Sequence, residues 1–177
     1  KIDVLMIRLF RHTVLFLLFF LGGLVAEESK PYLKYADQII HQFEKECVKE
    51  FKVVRSGSGG RMSRDVEQIS VDFMAYRIAT IEEARRLEVT LTEKLLKKIN
   101  ENEKIRPYLR EFPFPYSRAR VSVSFHKRDN SPNTDGSVAH VFQARNKIVY
   151  SGADPKTEDL YDLLEEPYEE ALNLVNK

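Results

Sequence analysis

Apolar residues recur at helical spacing from Thr80 to Glu101. Ile81, Ala84, Leu87, Leu91, Leu95 and Ile99 fall within an arc of about 120°, the width of a core-facing stripe. Glu82, Arg86, Glu93 and Lys97 occupy the opposite face, each acid four residues ahead of a base, which predicts a solvated surface. Thr80 followed three residues later by Glu83 is a capping-box pattern, in which each side chain satisfies an orphan backbone N–H near the other. Asn100, Asn102 and Ile105-Arg106-Pro107 mark the end, because the residue before a proline disfavours the helical region. This helix is the expected centre of the fold.

A second amphipathic helix is predicted from Pro31 to Cys47, with Ser29 as a cap and Leu33, Ala36, Ile40, Phe43 and Cys47 as its apolar face. Phe51 to Arg55 reads as a short strand, and Ser56-Gly57-Ser58-Gly59-Gly60 as a loop that breaks it. Ile69, Val71, Phe73 and Ala75 alternate with polar or exposed positions, as do Ala119, Val121, Val123 and Phe125, so both runs are expected to be half-buried strands. Between them, Phe112-Pro113-Phe114-Pro115-Tyr116 excludes helix and predicts an extended strap. The turn-rich run Lys127 to Ser137, and then Asn146-Lys147, connect three strands expected to pair antiparallel. For 160–164 periodicity leaves strand and helical turn open, while Pro167 predicts a last helix from Tyr168 to Val175. The fold class expected is α+β: an antiparallel sheet of about five to six strands, with the two main helices on one face and a short C-terminal helix.

The first 26 residues change the picture. Arg8, Arg11 and His12 precede the apolar run Val14 to Leu21, and Gly22-Gly23-Leu24-Val25-Ala26 ends small before Glu27-Glu28, the order of a secretory signal. Leu24 departs from an A-x-A-like cleavage site, so an uncleaved anchor is the rival. The 15 residues between Arg11 and Glu27 fall short of the roughly 20 that a spanning helix needs. The organisation expected is a signal segment over 1–26 and one α+β domain over 27–177, exported to the periplasm or beyond and attached to a membrane only if the signal persists. The chain has 28 basic and 27 acidic residues, of which the signal holds three (Lys1, Arg8, Arg11) and one (Asp3), leaving 25 and 26. A domain this near to neutral gives no reason to expect nucleic acid. Cys47 is the single cysteine, so no intramolecular disulfide forms, and its place on an apolar helix face predicts an inert buried thiol.

Candidate chemistry is sparse. Gly57, Ser58, Gly59 and Gly60 offer backbone N–H groups to an anion, but no Lys-Ser or Lys-Thr follows to make a phosphate loop, and Met62 stands where a dinucleotide fingerprint needs glycine. Asp129, Asn133 and Asp135-Gly136 fail the register of a calcium loop and read as a hairpin turn. His126 and His140 are expected to face each other across that hairpin, and with no third ligand at metal spacing they read as a cross-strand polar pair. His41 flanks the first helix and reads as structural or solvated, and the pairs Glu165-Glu166 and Glu169-Glu170 read as helix-start acids. The densest basic and aromatic stretch holds Arg106, Tyr108, Arg110 and Arg118, with Phe112, Phe114, Tyr116 and Arg120. The favoured reading is that its aromatics pack and its arginines pair with the abundant glutamates, and it is still the best candidate for a partner-binding surface.

Four phrases carry a resemblance: Ala75-Tyr76-Arg77, Thr80-Ile81-Glu82-Glu83-Ala84-Arg85, Ile105-Arg106-Pro107-Tyr108-Leu109 and Glu166-Pro167-Tyr168-Glu169-Glu170-Ala171. They resemble a small family of exported bacterial proteins of unknown function, which implies export and one-domain folding and no activity. The function expected is a non-catalytic domain that binds another protein or an envelope component, with no cofactor and no metal. Two alternatives stay open. One is a hydrolase-like envelope enzyme whose site is assembled from residues distant in sequence, and the other is a structural envelope protein.

Overall fold

The computed structural model describes residues 30–177, so the expected signal segment lies outside the described residues. Among the described residues, every element lies in one compact unit, Pro31–Lys177. In chain order these are α1 (Pro31–Phe51), β1 (Val54–Arg61), β2 (Gln68–Ala75), α2 (Ile81–Glu101), β3 (Ala119–Phe125), β4 (His140–Ala144), β5 (Lys147–Ala153), β6 (Leu160–Pro167) and α3 (Tyr168–Val175). Single 3-10 turns at Arg106–Tyr108 and Tyr116–Arg118 bracket the strap.

α2 begins as its sequence predicts. Thr80 Oγ1 accepts the Glu83 backbone N–H at 3.2 Å, and Glu83 accepts the Thr80 N–H at 2.9 Å. Ala84, Leu87, Leu91, Leu95 and Ile99 are buried beneath it. Its end is fixed by two asparagines. Asn102 accepts the N–H groups of Lys104 and Ile105, both at 3.0 Å. Asn100 clamps the strap, accepting the Phe114 N–H at 2.7 Å and donating to the Phe114 carbonyl at 3.1 Å. Phe114 is thereby held in the core.

The six strands lie in sequence order across one sheet, and every neighbouring pair is antiparallel except β2 and β3. The parallel pair corrects the expectation of a purely antiparallel sheet. β2 and β3 are joined by the α2 crossover, which returns the chain to the end of the sheet it left, and strands joined that way run parallel. Ile69, Val71, Phe73 and Ala75 of β2 and Ala119, Val121, Val123 and Phe125 of β3 all bury the same face under the helices. α1 joins that layer through Phe43, edge-on to Phe73 with ring centroids 5.7 Å apart. Cys47 is fully buried there, and desolvation pushes its thiol up to about 12.

Two more corrections concern strands. Ser56 to Gly60 is not a loop but the middle of β1, paired with β2 from Gly57 opposite Asp72 to Gly60 opposite Ile69. A Cβ on Gly60 would lie 2.2 Å from the Gln68 carbonyl oxygen, so glycine is there for close backbone approach. The open choice at 160–164 resolves to strand, with an irregularity in register between Tyr150 and Ser151 that breaks the alternation of β6.

Candidate binding face

Because side chains alternate across a strand, covering one face of the sheet with helices leaves the other, on which the described residues place no helix, to a second set of residues. Pairing aligns that set in two adjacent rows across all six strands. One runs Gly57, Asp72, Ser122, Phe142, Val149, Glu165; the other runs Val54, Met74, Ser124, His140, Ser151, Asp162. Most members are small or polar. Asp72 accepts the Ser122 hydroxyl at 2.7 Å, and its other oxygen lies over Gly57, where a Cβ would come within 3.3 Å. Phe142 and His140 stack, with centroids 5.1 Å apart and planes 19° from parallel. Burial lowers the His140 pKa, the charge of Asp72 opposes that shift, and His126 reinforces it.

A serine–histidine–acid relay needs the acid bonded to the imidazole and the imidazole to the hydroxyl, in series. Here Asp72 is bonded to Ser122 in one row, and His140 stands opposite Ser124 in the other. The arrangement displays an aromatic pair, a carboxylate and hydroxyls on a surface. His126 lies diagonal to His140 and is tied to its own turn, Nδ1 being 3.0 Å from the Asn130 carbonyl oxygen. Among the described residues no group of three or more His, Cys, Asp or Glu is placed to hold a metal ion. A groove of about 450 Å³ lies elsewhere, where α1 ends beside the first turns of α2, and its lining of Phe51, Arg77, Glu82, Glu83, Arg86, Leu87 and Thr90 contains no histidine.

The strap arginines are engaged within the domain. Arg110 bonds Asp65 in bidentate fashion at 3.0 Å and Glu67 at 2.6 Å. Arg118 donates to the Glu67 carbonyl at 3.2 Å and to Glu111 at 3.4 Å. Arg106 donates to the Asn100 carbonyl at 3.2 Å and lies over the Phe112 ring at 4.8 Å. Tyr108 packs against Tyr32 and Tyr35 of α1. Arg120 donates to the Gln143 carbonyl. The turn acids are similarly local: Asp129 accepts from Ser131, and Asp135 from Ser137, both through backbone N–H and hydroxyl.

Sequence reasoning missed a polar network inside the helix layer. Arg85 of α2 grips Glu166 with two bonds of 2.7 and 3.0 Å, the Tyr150 hydroxyl donates to the same carboxylate, and Tyr168 donates to Glu93 at 2.8 Å. Glu166 is therefore a nearly buried member of β6 rather than a helix-start acid. Deeper still, Glu88 and Thr92 are fully buried, and neither carboxyl oxygen of Glu88 has a hydrogen-bond partner. Desolvation raises the Glu88 pKa well above its ordinary value, the charge of Asp72 adds to the rise, and nearby Thr92 offsets part of it. Comparison of the chain with protein-family models, curated proteins and solved structures found no match.

Proposed function

We propose that this chain is an exported, non-catalytic binding domain that holds another protein, or a protein-like envelope component, on the helix-free face of its sheet. One observation carries the reading: two rows of mainly small and polar residues cross the sheet on that face, exposed or half-exposed except for buried Val149 and Ser151, with the Phe142–His140 stack at their middle. Glycine and serine keep the relief low, so a partner approaches the backbone closely, and a half-exposed aromatic among small residues is the kind of anchor on which interface energy concentrates. The Arg106, Arg110 and Arg118 surface is the weaker candidate, since its guanidinium groups already contact carboxylates, carbonyls or a ring within the domain. Export rests on the order of basic, apolar and small residues in 1–26.

The test is recovery of partners from envelope extracts of the native host. Ser124→Arg raises a long charged side chain between Met74 and His140 while changing stability by about 0.5 kcal/mol or less, as surface substitutions do. The expected result is loss of the partner recovered by wild type at an unchanged melting temperature. Full recovery by Ser124→Arg would place binding elsewhere.

A further inference from the structure

The groove between the end of α1 and the first turns of α2 has an apolar floor and a charged rim. Half-buried Phe51 and buried Leu87 form the floor, and Arg77, Glu82, Glu83 and Arg86 surround it. Two of these four charges are committed to the fold. Glu83 accepts the Thr80 N–H at 2.9 Å, and Arg77 donates to the Phe51 carbonyl at 3.0 Å. Lys94 lies 5.7 Å from the centre of the Phe51 ring and is itself tied to Glu50. That leaves Glu82 and Arg86. They stand four apart on one ridge of α2 with the acid first, the order in which a helix pair closes most readily. The pair of that spacing that does close on α2 is Lys97 with Glu101, at 3.9 Å. Among the described residues, neither the Glu82 nor the Arg86 side chain has a hydrogen bond or an ion pair. Hydrogen bonds from Thr80 hold the Glu83 carboxyl below its ordinary range, and Arg77 and Arg86 are close enough to add to that effect, so both arginines turn towards the groove.

We infer that this groove is a site for a free α-amino acid with an apolar side chain, its ammonium group held by Glu82, its carboxylate by Arg86 and its side chain laid on Phe51 and Leu87. Charge selects the class. A plain carboxylate would meet Arg86 beside Glu82 and Glu83, and a plain amine would meet Glu82 beside two arginines. Only a zwitterion answers both free charges at once. Size agrees, since the groove of about 450 Å³ lies within the range of small-molecule sites, roughly 300–1,000 Å³. Spacing agrees as well: successive helical turns are about 5.4 Å apart, and two long, exposed side chains one turn apart can converge on groups carried by one Cα. Arg77 keeps guanidinium N–H groups beyond the one given to Phe51, which places it to donate a second bond to the carboxylate. The inference is separate from the reading of the helix-free face, because the groove shares no residue with it and an amino acid is not the protein partner sought there.

The experiment is titration of the isotope-labelled full chain with L-phenylalanine and L-leucine, followed by backbone amide shifts. Two analogues that each lack one charge, N-acetyl-L-phenylalanine and L-phenylalaninamide, are titrated beside them. The expected result is saturable shifts at Phe51, Arg77 and residues 82 to 90, with each one-charge analogue binding about tenfold more weakly than phenylalanine. Glu82→Gln and Arg86→Gln change exposed side chains and are expected to melt with wild type. Glu82→Gln is expected to weaken phenylalanine but not its N-acetyl form, and Arg86→Gln to weaken phenylalanine but not its amide. No saturable shift in the groove at the solubility limit of phenylalanine overturns the inference. So does N-acetyl-phenylalanine binding as tightly as phenylalanine, which would make this a simple carboxylate site, or leucyl-leucine binding more tightly than leucine, which would make it a peptide site. Partner recovery by Ser124→Arg bears on the sheet face alone, so the two readings fail separately.

Discussion

Glu88 lies one turn from Ala84 and one turn from Thr92, on the side of α2 that packs into the core, and a stripe assembled from apolar letters alone passes it by. Leaving a buried polar group unpaired costs about 1–3 kcal/mol. A carboxyl in that position stays protonated, because burial disfavours its charged form. Its folded pKa is raised, whereas the unfolded chain ionises near 4.3, so from that pH upward the unfolded state releases a proton that the folded state keeps. Stability therefore falls as pH rises from the unfolded pKa towards the folded one. Glu88→Met, which keeps volume and removes the acid, is expected to raise the melting temperature, and the gain is expected to grow between pH 4 and pH 8. Thermal melts across that range check it, and a gain independent of pH would mean that Glu88 is ionised or solvated in the fold. The network of Arg85, Glu166 and Tyr150 escapes local reading for a related reason, since its members come from three elements that only the tertiary fold brings together.

α2 was legible almost whole, because its apolar period, its capping box and its terminal asparagines all state the same helix over the same residues. β1 was not, because glycine and serine signal a turn wherever the close approach of a neighbouring strand is invisible. β6 was ambiguous because an edge strand with broken register loses its alternation. Alternation did assign a face to each residue of β2 and β3, but it carries no information on strand direction, and the parallel pair depends on what α2 does between them. The same limit applies to the proposed binding face: Asp72, Ser122, His140 and Phe142 are ordinary letters until pairing puts them in adjacent rows. For α2 the prediction concerns its two sides. Leu91 is fully buried and Thr90 half-exposed, so Leu91→Lys is expected to unfold the domain, through loss of about 2–5 kcal/mol of packing together with an unpaired buried charge. Thr90→Lys is expected to melt close to wild type. Circular dichroism of the pair decides, and equal melts would put the buried stripe on the other side of the helix.

At the scale of the molecule, among the described residues three helices share one side of a six-stranded sheet, and the other side carries mainly small and polar side chains around Phe142 and His140. Among the described residues no helix is long and apolar enough to cross a membrane. The groove where α1 meets α2 has two acids and two arginines over Phe51 and Leu87, and Glu83 and Arg77 there already serve the caps of α2 and α1. The other face has low relief and an aromatic centre in the Phe142–His140 stack, which is why the proposal puts binding there. The most direct measurement is site-specific photo-crosslinking in the native host, with a benzophenone side chain in place of exposed Asp162 at the rim of the open face and, separately, in place of Glu82 in the groove. A discrete heavier adduct from position 162 and none from position 82 is the predicted result; adducts from position 82 with none from position 162 would contradict the assignment.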